Sequence, residues 1–131
     1  MKITVFAIIL FLTNISIETK WESYFEDEKI KISYTSLNCD DKQNGFNFEY
    51  YFIKIKNKTG DTLVVNFFKR PDEPENQEDK IAFVLKPYES KVGSCQYSPI
   101  NLKIFKQENS AKISNFTREF ALSKITVIEV Y

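Results

Sequence analysis

The chain has 131 residues, enough for one domain that removes about 60 to 70 percent of its unfolded surface from water. Its 18 basic and 18 acidic side chains balance to a net charge of zero, which argues against a nucleic-acid binder held by phosphate neutralisation. A composition 43% hydrophobic and 15% aromatic, with no His, describes a folded protein with an aromatic core and without the commonest general base and metal ligand.

Lys2 precedes an apolar run over residues 3–12 that contains one polar residue, Thr4. The run matches the hydrophobic region of a secretory signal and falls short of the about 20 apolar residues that a spanning helix needs. Thr13, Asn14 and Ser16 interrupt it, and Glu18, Lys20 and Glu22 close it. Residues 1–18 therefore read as an export signal, cleaved somewhere between Asn14 and Lys20, although no A-x-A pattern marks the site. The competing reading is a buried first strand of a cytoplasmic protein. No Cys follows the run closely, so a lipid-modified N-terminus has no support. Residues 19–131 are expected to form a single exported domain, secreted or periplasmic, with no membrane span in the mature form.

Trp21 to Glu28 mix aromatic and acidic residues. Ile30, Ile32 and Tyr34 then alternate with Lys29, Lys31 and Ser33, which predicts a strand with one wet face. Residues 38–45 are polar, end in Gly45 and read as a loop. Residues 46–68 read as a β-hairpin: alternating, β-branched and aromatic on both sides of a turn at 57–61, with Gly60 expected to supply its backbone freedom. Residues 70–80 are charged and proline-punctuated, a solvated loop.

Ile81, Phe83 and Leu85 predict another strand, ended by a turn at Lys86, Pro87, Tyr88, Glu89 and Ser90. A short strand is expected near Val92, a further one at Leu102 and Ile104, and a polar connection over 107–112. Residues 113–122 fit helix and strand spacing alike and are read as strand. The β-branched residues at 125–130 predict the closing strand.

Cys39 and Cys95 are 56 positions apart, share no C-x-x-C spacing and sit beside strand-like segments. In an exported chain this predicts a structural disulfide, closing a loop worth about 4 kcal/mol in the chain-entropy model. The alternative is a pair of buried thiols. A Cys/His zinc site cannot be assembled from these residues, and no cofactor is implied.

About seven to eight short strands without a long helical pattern predict an all-β antiparallel sandwich of immunoglobulin-like size, with a small β-barrel as the alternative. The resemblance to immunoglobulin domains is architectural only. No Trp follows Cys39 where the core tryptophan would stand, and Gly93 occupies the place of a tyrosine corner.

Three groups of residues could carry chemistry. Asp72, Glu73, Glu75, Glu78 and Asp79 offer oxygen ligands, but without the spacing or glycine of a calcium loop. Asp40–Asp41 and Glu26–Asp27–Glu28 are adjacent carboxylates, which on a strand point to opposite faces and cannot form a glycosidase pair. Phe46, Phe48, Tyr50 and Phe52 fall at period two and line one face of a strand whose other face, Tyr51, Ile53 and Ile55, is also apolar. A bulge, a cover or an exposed recognition platform would each resolve that surplus. Sequons stand at Asn14, Asn57 and Asn115, of which Asn57, in a turn, should be accessible.

The expected function is that of a non-enzymatic binding module for a protein or cell-surface partner, with Phe46, Phe48, Tyr50 and Phe52 as the candidate binding row. The alternatives are a structural domain of an envelope assembly, joined by strand addition at 62–68 or 125–130, and a calcium-dependent module or enzyme using residues 72–79. Oligomeric state is not legible.

Overall fold

Alternating apolar residues and β-branched side chains produce strands along the described parts of the chain. The computed structural model describes residues 19–41, 46–69, 80–108 and 119–130. Among them run β1 (Glu22–Glu26), β2 (Ile30–Asp41), β3 (Phe46–Asn57), β4 (Thr62–Phe68), β5 (Lys80–Leu85), β6 (Ser90–Val92), β7 (Lys103–Glu108) and β8 (Ser123–Val130). Every pairing is antiparallel. One sheet has the order β1-β2-β3, with β6 and β7 both on the far edge of β3; the other has the order β5-β4-β8. The two pack as a β-sandwich, as the composition and turn spacing predicted.

The core lies between them. Ile30, Ile32, Tyr51, Ile53, Ile55 and Ile104 from the larger sheet, with Leu102 just before β7, meet Leu63, Val65, Phe67, Ile81, Phe83 and Leu85 from the smaller. Each fully buried aliphatic or aromatic side chain contributes about 1.5 to 3 kcal/mol over leaving it in water. At one margin Phe120 closes the core, stacked on Tyr34 at 4.2 Å and edge-on to Tyr24 at 4.9 Å. At another, Lys29 in the β1–β2 turn pairs with Glu129 of the smaller sheet at 3.1 Å.

Residues 46–68 do not form a hairpin. β3 pairs with β2, β6 and β7, while β4 pairs with β5 and β8, so the turn at 57–61 carries the chain from one sheet to the other. Alternation is the same whether the next strand pairs alongside or packs opposite. The inward row Tyr51, Ile53 and Ile55 needs an apolar cover across the roughly 10 Å gap between sheets, and β4 supplies it. Gly60 is not in the left-handed region either. The turn is shaped by Asn57, whose Oδ1 accepts hydrogen bonds from the backbone N–H and the Oγ1 of Thr59. Asn57 is fully buried, contrary to the accessibility expected of its sequon.

Two further expectations change. Residues 38–41 continue β2 and are not loop, so Cys39 is a strand residue. The outward side of β2 is not uniformly wet, since Ser33 and Thr35 are buried. Residues 119–122 are neither strand nor helix, although Phe120 and Leu122 pack into the core margin. The predicted export signal at 1–18, the acidic loop at 72–79 and residues 113–118 with their sequon lie outside the described residues. Among the described residues no helix is long and apolar enough to cross a membrane.

Candidate functional site

Opposed residues of antiparallel strands share a face, so register alone defines the outward surface of the larger sheet. Its rows run Glu26–Lys31–Lys56–Ser90, then Ser33–Lys54–Val92, Thr35–Phe52–Lys103, Leu37–Tyr50–Phe105 and Cys39–Phe48. The predicted aromatic row thus points away from the core, and β7 adds Phe105 to it. Phe48, Tyr50 and Phe105 form one cluster of rings, with centroids 5.8 to 6.4 Å apart and planes inclined by 62 to 78°. Edge-to-face packing of this kind adds about 0.5 to 1.5 kcal/mol per pair beyond burial.

The row is not exposed along its whole length. Phe52 is only 2% exposed, whereas Phe48 and Tyr50 are half-buried and Phe105 and Leu37 are 43% and 45% exposed. Phe46 opens β3 opposite Asp41, and its side chain lies outside the described residues. Phe52 therefore belongs to the support of the face, and the accessible part is Phe48, Tyr50, Phe105 and Leu37.

A covalent strap crosses this face. β6 and β7 occupy successive stretches of the same edge of β3, and residues 93–102 leave that edge between them. Cys95 in this segment is bonded to Cys39 on β2, with Cα atoms 5.6 Å apart, as predicted from the spacing. Because β3 lies between β2 and the β6/β7 edge, the segment passes over the outward side of β3. Lys103 ties it down: its Nζ donates to the carbonyl of Cys95 at 3.4 Å and sits 4.9 Å from the ring centre of Tyr50. Trp21 flanks the other side, with the Lys54 ammonium 5.7 Å from its ring.

The strap returns to the edge through Gly93, whose N–H donates to Ile53 while Ile53 donates to Leu102, both at 2.9 Å. A Cβ on Gly93 would lie 2.0 Å from the Leu102 carbonyl oxygen. Glycine is required here by close approach.

Of the carboxylates singled out in the sequence, Glu26 and Asp27 have structural partners. Asp27 Oδ1 accepts from the backbone N–H of Lys29 and Ile30 at 2.8 Å, closing the β1–β2 turn. Glu26 pairs with Lys58 at 2.9 Å, which holds its carboxyl below the ordinary range, first through the hydrogen bond and then through the charge. Asp40 and Asp41 are successive residues of one strand. Among the described residues no group of three His, Cys, Asp or Glu side chains could hold a metal ion.

Comparisons of the chain with family models, curated proteins and solved structures find no match. The functional reading therefore rests on the geometry of this face. Sequence reasoning located Phe48 and Tyr50 but missed Phe105, Leu37 and Lys103, which join them only through strand order. The alternation of Lys103, Ile104 and Phe105 was the one local hint that Phe105 faces the same way as Lys103.

Proposed function

We propose that the protein is a small exported binding module that engages a protein or cell-surface partner through the outward face of its larger sheet. The observation that carries this reading is the cluster Phe48, Tyr50 and Phe105, aromatic surface placed outside the core on a face braced by a disulfide. Apolar surface that is exposed and held rigid costs solvation and little binding entropy, the balance expected of a recognition site. The test is cross-linking of the purified oxidised protein to the surface of its native host, in parallel with a Leu37→Asp/Phe105→Asp variant. A cross-linked partner lost with the variant, at unchanged Tm, supports the reading. Equal capture by both proteins removes it.

A second reading, assembly by strand addition, is favoured by the smaller sheet. β8 is an edge strand, and its outward Ile128 is exposed together with Val84 across the sheet and Val130 at the end of the strand. Sedimentation velocity over a concentration series checks it: association abolished by Ile128→Lys supports assembly, and a single monomeric species at all concentrations rejects it.

A further inference from the structure

We infer that the strap holds a saccharide site: its loop encloses a basin for the uncharged terminal sugars of a cell-surface glycan, with Tyr97 as the stacking ring and Gln96 and Asn101 as hydrogen-bonding partners. The inference rests on the binding reading above, which leaves protein and cell-surface partners open, and adds the chemistry of the partner. Both ends of the strap are fastened to one residue, since Gly93 donates to the carbonyl of Ile53 and Leu102 accepts from its N–H, each at 2.9 Å. Between these ends the chain bends at Cys95–Gln96 and again at Pro99–Ile100. The disulfide fixes the first bend, and Pro99 disfavours a helical turn at Ser98. The loop so pinched surrounds a basin of about 410 Å³, lined among the described residues by 94–103 only. That volume falls within the roughly 300 to 1,000 Å³ of small-molecule sites.

The chemistry of the lining selects the ligand. Among the described residues the side chains of Gln96 and Tyr97 have no hydrogen bond, ion pair or ring contact, and Tyr97 is 92% exposed, so its ring faces are open. Asn101 spends its Oδ1 on the Lys103 N–H at 3.3 Å and keeps its amide hydrogens. Ser98 accepts from the Ile100 N–H at 3.3 Å and keeps its hydroxyl hydrogen. Amides and hydroxyls offer both donors and acceptors without charge, which matches sugar hydroxyls that each donate and accept. The negative face of an aromatic ring attracts the positively polarised C–H groups of a pyranose. The charged residue in the lining, Lys103, is committed to the Cys95 carbonyl at 3.4 Å and the Tyr50 ring at 4.9 Å, so an anion gains no free cation here. A purely apolar ligand would leave the amides and hydroxyls unpaired. Through Lys103 the basin adjoins Tyr50, and a ligand in the strap lies on the face proposed to meet the partner.

Screening of the oxidised protein on an array of immobilised neutral, sialylated and sulfated glycans tests this. The expected result is binding to neutral glycans that does not weaken as ionic strength rises, since no charge pair is screened. Tyr97→Ala should weaken that binding about tenfold, and Gln96→Ala several-fold. Both variants should keep the parent's Tm, because neither side chain is bonded to the rest of the fold. Glycan binding that survives Tyr97→Ala but is lost in Leu37→Asp/Phe105→Asp would overturn the strap site and leave the ring face standing. Binding confined to sialylated or sulfated glycans and lost at high salt would overturn the neutral ligand. Displayed peptides selected on the protein and lost with Tyr97→Ala, with no glycan bound, would give the strap to a protein partner and refute the saccharide. No glycan bound, while cross-linking to the host surface still depends on Leu37 and Phe105, would remove this inference and keep the binding reading; loss of both results would remove both.

Discussion

The Oδ1 of Asn57 accepts the backbone N–H of Thr59 at 2.9 Å and its Oγ1 at 2.7 Å, so the two defining residues of a sequon are bonded to each other. The amide nitrogen of Asn57 donates to the carbonyls of Asp61 at 2.7 Å and Lys86 at 2.9 Å, tying the sheet-crossing turn to the turn after β5. No hydrogen remains on it for a glycan. Folded protein recovered from a eukaryotic secretory host is expected to be unmodified at Asn57, read by peptide mapping. Asn57→Ala leaves part-buried carbonyls without donors and should cost about 2 to 4 kcal/mol, lowering Tm by about 10 °C. A variant with the Tm of the parent would show that the turn holds without the side chain.

Gly93→Ala is predicted to be among the most damaging single-methyl additions in the protein. The new Cβ would stand 2.0 Å from the Leu102 oxygen, backbone that cannot give way without breaking the Ile53–Leu102 hydrogen bond. Overpacking of this kind costs about 1 to 3 kcal/mol. Denaturant unfolding of Gly93→Ala measures it, and a midpoint equal to the parent's would mean that the strap returns to the edge by another path.

These two positions show what the sequence conveyed and what it withheld. Strands at Ile30, Ile81 and Ile125 were legible because alternation is a property of one segment and its own two faces. The partner of each strand was not legible, since β3 and β4 have the pattern of a hairpin and belong to different sheets. Asn57 looked like an exposed turn residue because local sequence carries no sign of the carbonyls of Asp61 and Lys86 that converge on it. The disulfide was readable from spacing and the signal-like start, but its role as a strap was not, because that follows from β6 and β7 sharing one edge of β3. Half of the candidate face was visible as the row on β3; Phe105 and Leu37 joined it through register.

Tyr24→Phe removes one atom that bridges β1 and the segment before β8. The Tyr24 hydroxyl donates to the Leu122 carbonyl at 3.1 Å and accepts from the Leu122 N–H at 3.0 Å. Both bonds are partly buried and close the core margin where Phe120 stacks on Tyr34. Loss of the two should cost about 1 to 2 kcal/mol and soften near-ultraviolet circular dichroism from that ring cluster. An unchanged unfolding midpoint would show that water replaces both bonds.

Reduction of Cys39–Cys95 should loosen the strap before it unfolds the sandwich. Of the strap's anchors, the disulfide is the covalent one, alongside the 3.4 Å contact from Lys103 to Cys95 and the Gly93 hydrogen bond to Ile53. A Cys39→Ser/Cys95→Ser variant is expected to lose about 4 kcal/mol, since the closed loop spans much of the chain. Its strap amides should exchange faster than those of β4, which pairs on both sides with β5 and β8. Equal exchange in the oxidised protein and the variant would mean that the contacts of Lys103 and Gly93 hold the strap alone.

Stability should fall on both sides of a neutral plateau, for opposite reasons. Glu26 is held below its ordinary value of 4.5 by the hydrogen bond and charge of Lys58, and Glu89 by the Lys86 backbone N–H and then Lys91. A depressed carboxyl contributes stability that is present above its unfolded value and lost as pH falls through the folded one, so the acid limb begins near 4.5 and runs downward. Both groups are at the surface, so the limb should shrink in high salt. Tyr34, hydrogen-bonded to Glu22, and Tyr51, desolvated by burial, are raised above 10.0. Their contribution is present below 10.0 and lost as pH rises through the folded value, because the unfolded chain ionises first. Denaturant midpoints across the pH range, with tyrosinate absorbance on the alkaline side, measure both limbs. Glu26→Gln/Glu89→Gln should flatten the acid limb and leave the alkaline one unchanged; an acid limb of the parent's depth in that variant would assign the loss to other carboxylates.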